Sequence, residues 1–147
     1  VSKVEMPLKF YEDFDVFKIF PLDVGLLGAM TDVPASKLLV GDNCFTEFKG
    51  AFTECYVNEQ LARIQIPTYY FSGNDTEIEI DFAVQTENRV IPIEVKSEES
   101  VRSKSLKTYI DKNPSLKGLR VSMKNYIDQG WMENIGLYAI EGFLRKS

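Results

Sequence analysis

The sequence contains no histidine and only two cysteines, and these absences exclude several classes of chemistry. Without histidine there is no Ser-His-Asp or Cys-His catalysis, no imidazole general base and no histidine-containing zinc site. Cys44 and Cys55 do not follow a metal-binding spacing, and they do not imply a disulfide. Any catalysis must therefore use carboxylates, lysines and hydroxyls.

Long hydrophobic runs are also absent: none approaches the roughly 18 residues of a membrane span, and no signal peptide is visible. We therefore expect no membrane partner. The two cysteines, for which no disulfide is implied, favour a reducing, cytoplasmic location. The 147 residues suffice for one domain with its own core. Because the chain starts VSKVEMPL rather than with methionine, we interpret it as a fragment of a longer protein.

The net charge of −5 argues against a nucleic-acid partner, but the charge is unevenly distributed. Residues 1–88 are predominantly acidic, whereas lysine and arginine are concentrated in residues 89–124. Such a basic third is a usable electrostatic footprint for nucleic acid. On charge alone, an ordinary solvated surface explains it equally well.

The stretch Glu77–Ser97, EIEIDFAVQTENRVIPIEVKS, predicts two strands joined by a short polar turn. Its first strand alternates between an acidic face and an apolar face, the latter formed by Ile78, Ile80, Phe82 and Val84. A turn centred on Glu87 and Asn88 places Asp81 opposite Glu94 on the neighbouring antiparallel strand. Lys96 then follows Glu94 on the same face. Two carboxylates and a lysine are thus predicted to share one patch.

The remaining patterns predict a mixed α/β (α+β) fold with an α-β-β-β-α-β core, in which one mixed sheet is flanked by helices. A lead-in segment, residues 1–43, precedes the domain over residues 44–147. Pro92 predicts one unpaired ladder position or a free edge in the second hairpin strand. The predicted elements are a strand Val16–Phe20, a helix Val24–Met30 capped by Asp23, a helix Phe45–Arg63, a strand Thr68–Phe71, a helix Ser103–Asn113, a strand Leu119–Met123, and a closing strand or short helix within Trp131–Leu144.

Glu54 lies on the predicted long helix in a stripe with Gly50, Val57 and Leu61. The helix is largely apolar all round, so a carboxylate within it needs a cation, a hydrogen-bond network or a raised pKa. From the helix alone, the favoured interpretation is a surface glutamate on a thinly covered stripe. Gly50 leaves room for another element to approach closely.

Asp81, Glu94 and Lys96 form the pattern D-x12-E-x-K. Two facing carboxylates are suitable ligands for a hard divalent cation, Mg²⁺ or Mn²⁺. The metal and the lysine can polarise a scissile phosphate and activate water, and Glu54 would add a ligand or position that water. By itself, E-x-K on the polar face of a strand is common and carries little information.

Several segments resemble the C-terminal domain of a large prokaryotic family of AAA-type ATPases, a domain similar to the PD-(D/E)XK, restriction endonuclease-like superfamily. They are FKIFPLDVGLLGAM, KGAFTECYVNEQL, EIEIDFAV, IPIEVKSEESVRSKSL and NIGLYAI. The resemblance implies catalytic roles for Glu54, Asp81, Glu94 and Lys96, with Asp81, Glu94 and Glu54 as metal ligands. No P-loop pattern is present, so ATP is expected only in an N-terminal ATPase module outside this chain.

In the related nucleases, the basic start of the helix after the site touches the phosphate backbone, and Ser103, Lys104 and Ser105 match it. We therefore expect Arg102, Lys104 and Lys107 to bind nucleic acid, DNA in the first place, through phosphates rather than bases. The second expected partner is the chain's own ATPase module. The oligomeric state is left open.

Two functions compete. The first is a metal-dependent nuclease domain appended to an ATPase. The second is a catalytically silent module that binds DNA or a protein and regulates the ATPase, which the acidic overall charge favours. A purely structural dimerisation domain ranks last, because it leaves the patch of Asp81, Glu94 and Lys96 without a purpose.

Overall fold

A computed structural model of the chain describes residues 1–32, 46–73, 78–97 and 103–147. The helices are a 3₁₀ helix Leu8–Tyr11, α1 (Val24–Thr31), α2 (Thr46–Arg63), α3 (Lys104–Lys112), a 3₁₀ turn Leu137–Ala139 and α4 (Ile140–Leu144). The strands are β1 (Thr68–Ser72), β2 (Glu79–Gln85), β3 (Val90–Val95), β4 (Gly118–Ser122), β5 (Ile127–Asp128) and β6 (Met132–Gly136). From α2 to β4, the order is the predicted α-β-β-β-α-β.

The six strands form one sheet in the order β1-β2-β3-β4-β6-β5. Strands β1, β2 and β3 are antiparallel neighbours, β4 and β6 continue the sheet parallel to β3, and β5 returns antiparallel to β6. Helices flank this mixed sheet, as the two core clusters below indicate. The predicted mixed α+β class is confirmed.

Strand β3 lies inside the sheet although it contains Pro92. The amide of Lys96 donates to the carbonyl of Val121, so alternate residues of β3 direct their nitrogens toward β4. The nitrogen of Pro92 lies on that side, and β4 pairs only with residues 93–95. Pro92 therefore lacks its N–H at a position just before the pairing with β4 begins, so no ladder bond is lost. This is the unpaired position that the sequence predicted.

The core divides between the two faces of the sheet. On the α2 face, Val57 and Leu61 of α2 and residues of α4 pack on the sheet. On the α3 face, Leu106 and Tyr109 of α3 pack beside two residues from the N-terminal segment, Val4 and Leu8. The sheet residues on the α2 face include Phe82, Val84, Ile91, Ile93 and Val95; those on the α3 face include Ile80, Ala83, Val90 and Met132.

The N-terminal segment is attached to both faces. The ammonium of Val1 donates to the carbonyl of Tyr70 at 2.7 Å, and Val4 and Leu8 are buried on the α3 face. Further along, the Phe20 ring stacks on Phe82, on the α2 face, with ring centroids 5.7 Å apart. Residues of the predicted lead-in thus contribute to the core. Its link to an ATPase module stays a prediction.

The predicted strand Val16–Phe20 is wrong: these residues have no regular secondary structure. They are held by the inward side chains of Lys18 and Phe20 rather than by a neighbouring strand, and Ile19 between them is 81% exposed.

The other predicted elements are confirmed within a residue or two at each end. Asp23 caps α1 by accepting the amide of Leu26 at 2.8 Å. Phe45, the predicted first residue of the long helix, lies outside the described residues. The segment Trp131–Leu144 forms both a strand and a short helix rather than one of the two.

Candidate active site

The hairpin of β2 and β3 has the predicted register. Its pairs are Phe82 with Ile93, Ala83 with Pro92, Val84 with Ile91 and Gln85 with Val90. The turn closes as the amide of Thr86 donates to the carbonyl of Arg89 at 2.9 Å, which centres it on Glu87 and Asn88. In this register, the next pair beyond Phe82 and Ile93 is Asp81 with Glu94.

A β-bulge in β2 re-aims the side chains around Asp81. Between the pairs Tyr69 with Ala83 and Phe71 with Ile80, β2 has one residue more than β1. Ile80 therefore packs on the α3 face, whereas Phe82 packs on the α2 face. This corrects the prediction of one continuous apolar face along the strand.

The carboxylate of Asp81 takes the place of a ladder hydrogen bond where β2 and β3 part. Its Oδ2 accepts the amide of Val95 at 2.7 Å, an N–H that points toward β2. Burial raises the pKa of Asp81 to about 6; the Val95 bond and Lys18 oppose this, while the charges of Glu54 and Glu94 add to it. Asp81 is thus an anion held where a further cation would stabilise it.

Glu94 is 4% exposed and lies between Ile93 and Val95 along β3, so alternation directs its side chain to the α3 face. Its Oε1 is 3.1 Å from Nζ of Lys96. Its Oε2 is buried without a hydrogen-bond partner in the part of the chain that the structure describes. An orphaned buried carboxylate oxygen is costly and calls for an explanation, of which an absent ion is one.

Glu54 lies on the α2 face and is bound by a lysine that the sequence did not single out. Nζ of Lys18 is 3.4 Å from Oε2 of Glu54 and 3.0 Å from Oε1 of Glu79. Burial disfavours the charged ammonium, but the charges of Glu54, Glu79 and Asp81 outweigh it and raise the pKa of Lys18. Glu54 is therefore near Asp81, as predicted, but is already paired.

The stripe that carries Glu54 is well covered, since Val57 and Leu61 on it are fully buried. The interpretation of Glu54 as a surface residue on a thinly covered stripe is therefore wrong. The expectation of a close approach at Gly50 is also wrong for the described residues, because none of their atoms lies within 4 Å of the position that a Cβ would take there. It is the sheet side of α2, not the glycine, that brings Glu54 toward Asp81.

A cavity of about 310 Å³ opens beside Asp81 on the α2 face. Its polar lining includes Lys18, Asn58 and Tyr70 in addition to Asp81. Small molecules and water can thus reach Asp81 from the side of Lys18 and Asn58.

A second missed residue is Arg120, which is 4% exposed on β4. It pairs with Glu94 across the ladder and lies on the same face; its Nε donates to Asn134 at 2.8 Å and its Nη1 to Ser103 at 3.4 Å. The signal for both missed residues was a lone charge in an apolar run: Arg120 in GLRVS and Lys18 in VFKIF.

Residues 49–139 match the protein family described as Domain of unknown function (DUF4143). The chain belongs to this family. Such domains are typically found in proteins associated with AAA-type ATPases. No curated protein and no solved structure matches the chain. The range matched by DUF4143 includes all four predicted catalytic residues, whereas Lys18 precedes it.

The predicted phosphate-binding residues have different surroundings. Lys104 is exposed at the start of α3. Lys107 pairs with Asp111, and its Nζ lies 5.3 Å from the centroid of the Trp131 ring. Arg102 lies outside the described residues. Lys104 is thus the more available of the two described lysines.

Asp81 and Glu94 reach the strand junction from different faces of the sheet, since Asp81 lines the cavity on the α2 face whereas Glu94 is directed to the α3 face. The binding of one divalent cation by both carboxylates stays a prediction. Mg²⁺ is commonly held by one or two carboxylates together with water and substrate phosphates, and Oε2 of Glu94 has no competing partner in the described ranges. Within those same ranges, no three His, Cys, Asp or Glu side chains are arranged to hold an ion. Glu54 as a third ligand stays a prediction.

None of the described helices has the length and apolar character needed to cross a membrane.

Proposed function

We propose that this DUF4143 domain is a metal-dependent nuclease of the PD-(D/E)XK type that hydrolyses phosphodiesters of nucleic acid and works with an ATPase module. The observation that carries the proposal is the junction where β2 and β3 part. There the Asp81 carboxylate replaces a ladder bond, and Oε2 of Glu94, beside Lys96, is buried with no hydrogen-bond partner among the described residues. Burying that oxygen unpaired costs free energy that a bound cation would offset.

Asp81 and Glu94 would hold Mg²⁺ or Mn²⁺. The ion would supply the charge that activates water and neutralises the developing negative charge on the phosphate. Lys96, one third exposed and tethered to Glu94, can donate to a phosphate oxygen or orient the attacking water. Glu54, which is paired with Lys18 near Asp81, would position that water or add a ligand.

The α3 face supplies the positive charge that a phosphate backbone needs. Lys96 lies beside Glu94 there, and the exposed Lys104 begins α3 directly after Ser103. Arg120 is buried and donates to Asn134 and Ser103, so it supports the site from within. Lysine contacts of this kind are made to phosphates and are independent of base sequence. They support nucleic acid as the substrate class.

The test is a cleavage assay on single-stranded DNA, duplex DNA and RNA with Mg²⁺, with Mn²⁺ and with a chelator. We expect metal-dependent cleavage that Asp81→Asn and Glu94→Gln reduce at least about a thousandfold, since each removes a ligand charge. Glu141→Gln, the same change on α4 outside the site, is the matched control and should retain activity. Cleavage by both site variants at the wild-type rate would contradict the proposal.

The second candidate is a catalytically silent module that binds DNA or a protein and regulates the ATPase. Exposed aromatic and aliphatic side chains in the N-terminal segment favour the protein-binding form: Phe14, Phe17, Ile19 and Leu22 are each at least 70% exposed. This candidate predicts no cleavage by the wild type with Mg²⁺ or with Mn²⁺.

A further inference from the structure

Lys18 brings a positive charge to the carboxylates on the α2 face of the site. Its ammonium is within 3.4 Å of two of them, Glu54 and Glu79, and Lys18 lines the same cavity as Asp81. The side chain is only 24% exposed, and its Nζ lies 5.2 Å from the centroid of the Tyr70 ring. One ammonium group thus lies among three carboxylates, those of Glu54, Glu79 and Asp81.

The position of Lys18 is fixed by its neighbours in the chain. Phe20 stacks on Phe82, and the carbonyl of Pro21 accepts the thiol of Cys55 at 3.8 Å. These contacts anchor the segment on both the sheet and α2. Residues 16–20 themselves have no regular secondary structure.

We propose that Lys18 is an internal counter-ion that competes with the divalent cation for the carboxylates of Asp81 and Glu54. This inference rests on the proposed function. An ammonium and a metal ion stabilise the same anions, and they repel each other, so each weakens the binding of the other. Glu54 can join Asp81 as a ligand only when the ammonium has moved away.

The competition explains why no three carboxylates of the described residues form a metal site. Glu54 and Glu79 are arranged around a lysine, at distances that suit an N–H···O contact rather than metal coordination at about 2.1 Å. The arrangement is that of a site held ready in the metal-free state.

The experiment is a calorimetric titration of the chain with Mn²⁺ at moderate ionic strength. Lys18→Gln removes the charge but keeps an N–H donor for Glu54, and we expect it to bind Mn²⁺ at least about tenfold more tightly than the wild type. Lys18→Arg keeps the charge and should bind like the wild type. Lys9→Gln removes an exposed lysine of the same N-terminal segment and is the control for net charge.

Thermal unfolding gives a second readout. Without metal, Lys18→Gln should unfold at a lower temperature than the wild type, because three acids lose their counter-ion. Saturating Mn²⁺ should raise its unfolding temperature by more than it raises that of the wild type. If Lys18→Gln does not fold without metal, its refolding in Mn²⁺ supports the competition, and a failure to fold in Mn²⁺ overturns it.

The outcomes separate this inference from the proposed function. Equal or weaker Mn²⁺ binding by Lys18→Gln, with binding lost in Glu94→Gln, would overturn the counter-ion role and leave the metal site intact. No Mn²⁺ binding by any variant would overturn both. If Lys9→Gln also binds Mn²⁺ more tightly, the tighter binding by Lys18→Gln is an effect of net charge. That result would also overturn the role of Lys18.

Discussion

The two faces of the sheet differ in their balance of acidic and basic side chains at the point where β2 and β3 part. On the α2 face, Glu54, Glu79 and Asp81 are compensated by the ammonium of Lys18. On the α3 face, two cations, Lys96 and Arg120, flank Glu94, one oxygen of which has no hydrogen-bond partner in the part of the chain that the structure describes.

This difference suggests a division of labour. An acidic face next to a small cavity suits a metal ion and water, whereas a basic face beside an exposed helix start suits a phosphate backbone. Asp81 and Glu94 are the residues that connect the two. Substitutions on the α3 face should therefore alter turnover and nucleic-acid affinity, whereas substitutions on the α2 face should alter stability and metal binding.

The largest expected effect is on turnover, from the basic face. Lys96→Ala should lower kcat by about a hundredfold to a thousandfold, because it removes a preorganised donor to the phosphate or the water. Mn²⁺ affinity should change less than about threefold, since lysine is not a ligand. The measurements are single-turnover cleavage and Mn²⁺ titration of the same preparation; a parallel loss of both would mean that Lys96 acts only by holding Glu94.

The next effect is on stability, from the acidic side. Asp81 has a pKa of about 6 in the folded protein against 3.8 for an ordinary aspartate, so the folded state binds more protons between these values. Metal-free stability should therefore fall as the pH rises from about 4 to 6 and stay level above. The full loss is about 3 kcal/mol in order of magnitude.

Asp81→Asn should remove this pH dependence, because the asparagine side chain does not titrate. Its side-chain oxygen can still accept the backbone N–H of Val95. Urea unfolding at pH 4 and pH 8 without metal checks it: the variant should gain stability over the wild type at pH 8 and little at pH 4. Asp111→Asn, an exposed change on α3, is the control. The raised pKa of Asp81 would be contradicted if the free energy of unfolding of the wild type rose from pH 4 to pH 6 and Asp81→Asn removed that rise.

The smallest effect concerns nucleic-acid affinity. Lys104→Ala should weaken binding to unrelated sequences to the same extent and lower the salt slope by about one. Lys107→Ala should have less effect, because Lys107 is engaged with Asp111 and Trp131. Binding isotherms over a range of salt concentrations measure both, with Lys146→Ala as the control. Unchanged affinity after Arg102, Lys104 and Lys107 all become alanine would contradict a phosphate-binding role for this segment.

The sequence predicted those features that depend on local pattern. The hairpin register followed from a polar turn between two runs of period two, and Asp23 was identifiable as a cap because it directly precedes an apolar helix. The bulge at Asp81 was not predictable, because it appears only when β1 pairs with β2 at a distance along the chain.

Lys18 was missed for a related reason. It lies in residues 16–20, whose alternating pattern is typical of a strand. In the structure these residues pair with no neighbouring strand among the described residues. Its partners Glu54 and Glu79 come from α2 and β2, so only the tertiary structure brings them together. The confirmed elements are thus local, and the charge balance of the site is a property of the assembled sheet.

The most direct test of a metal site at the strand junction is an anomalous diffraction measurement on a crystal of the chain soaked in Mn²⁺. The account predicts one peak within about 2.1 Å of oxygens from both Asp81 and Glu94, with Oε2 of Glu94 as a ligand. Data with no peak at either carboxylate, and with Oε2 of Glu94 bonded instead to a protein donor, would contradict it.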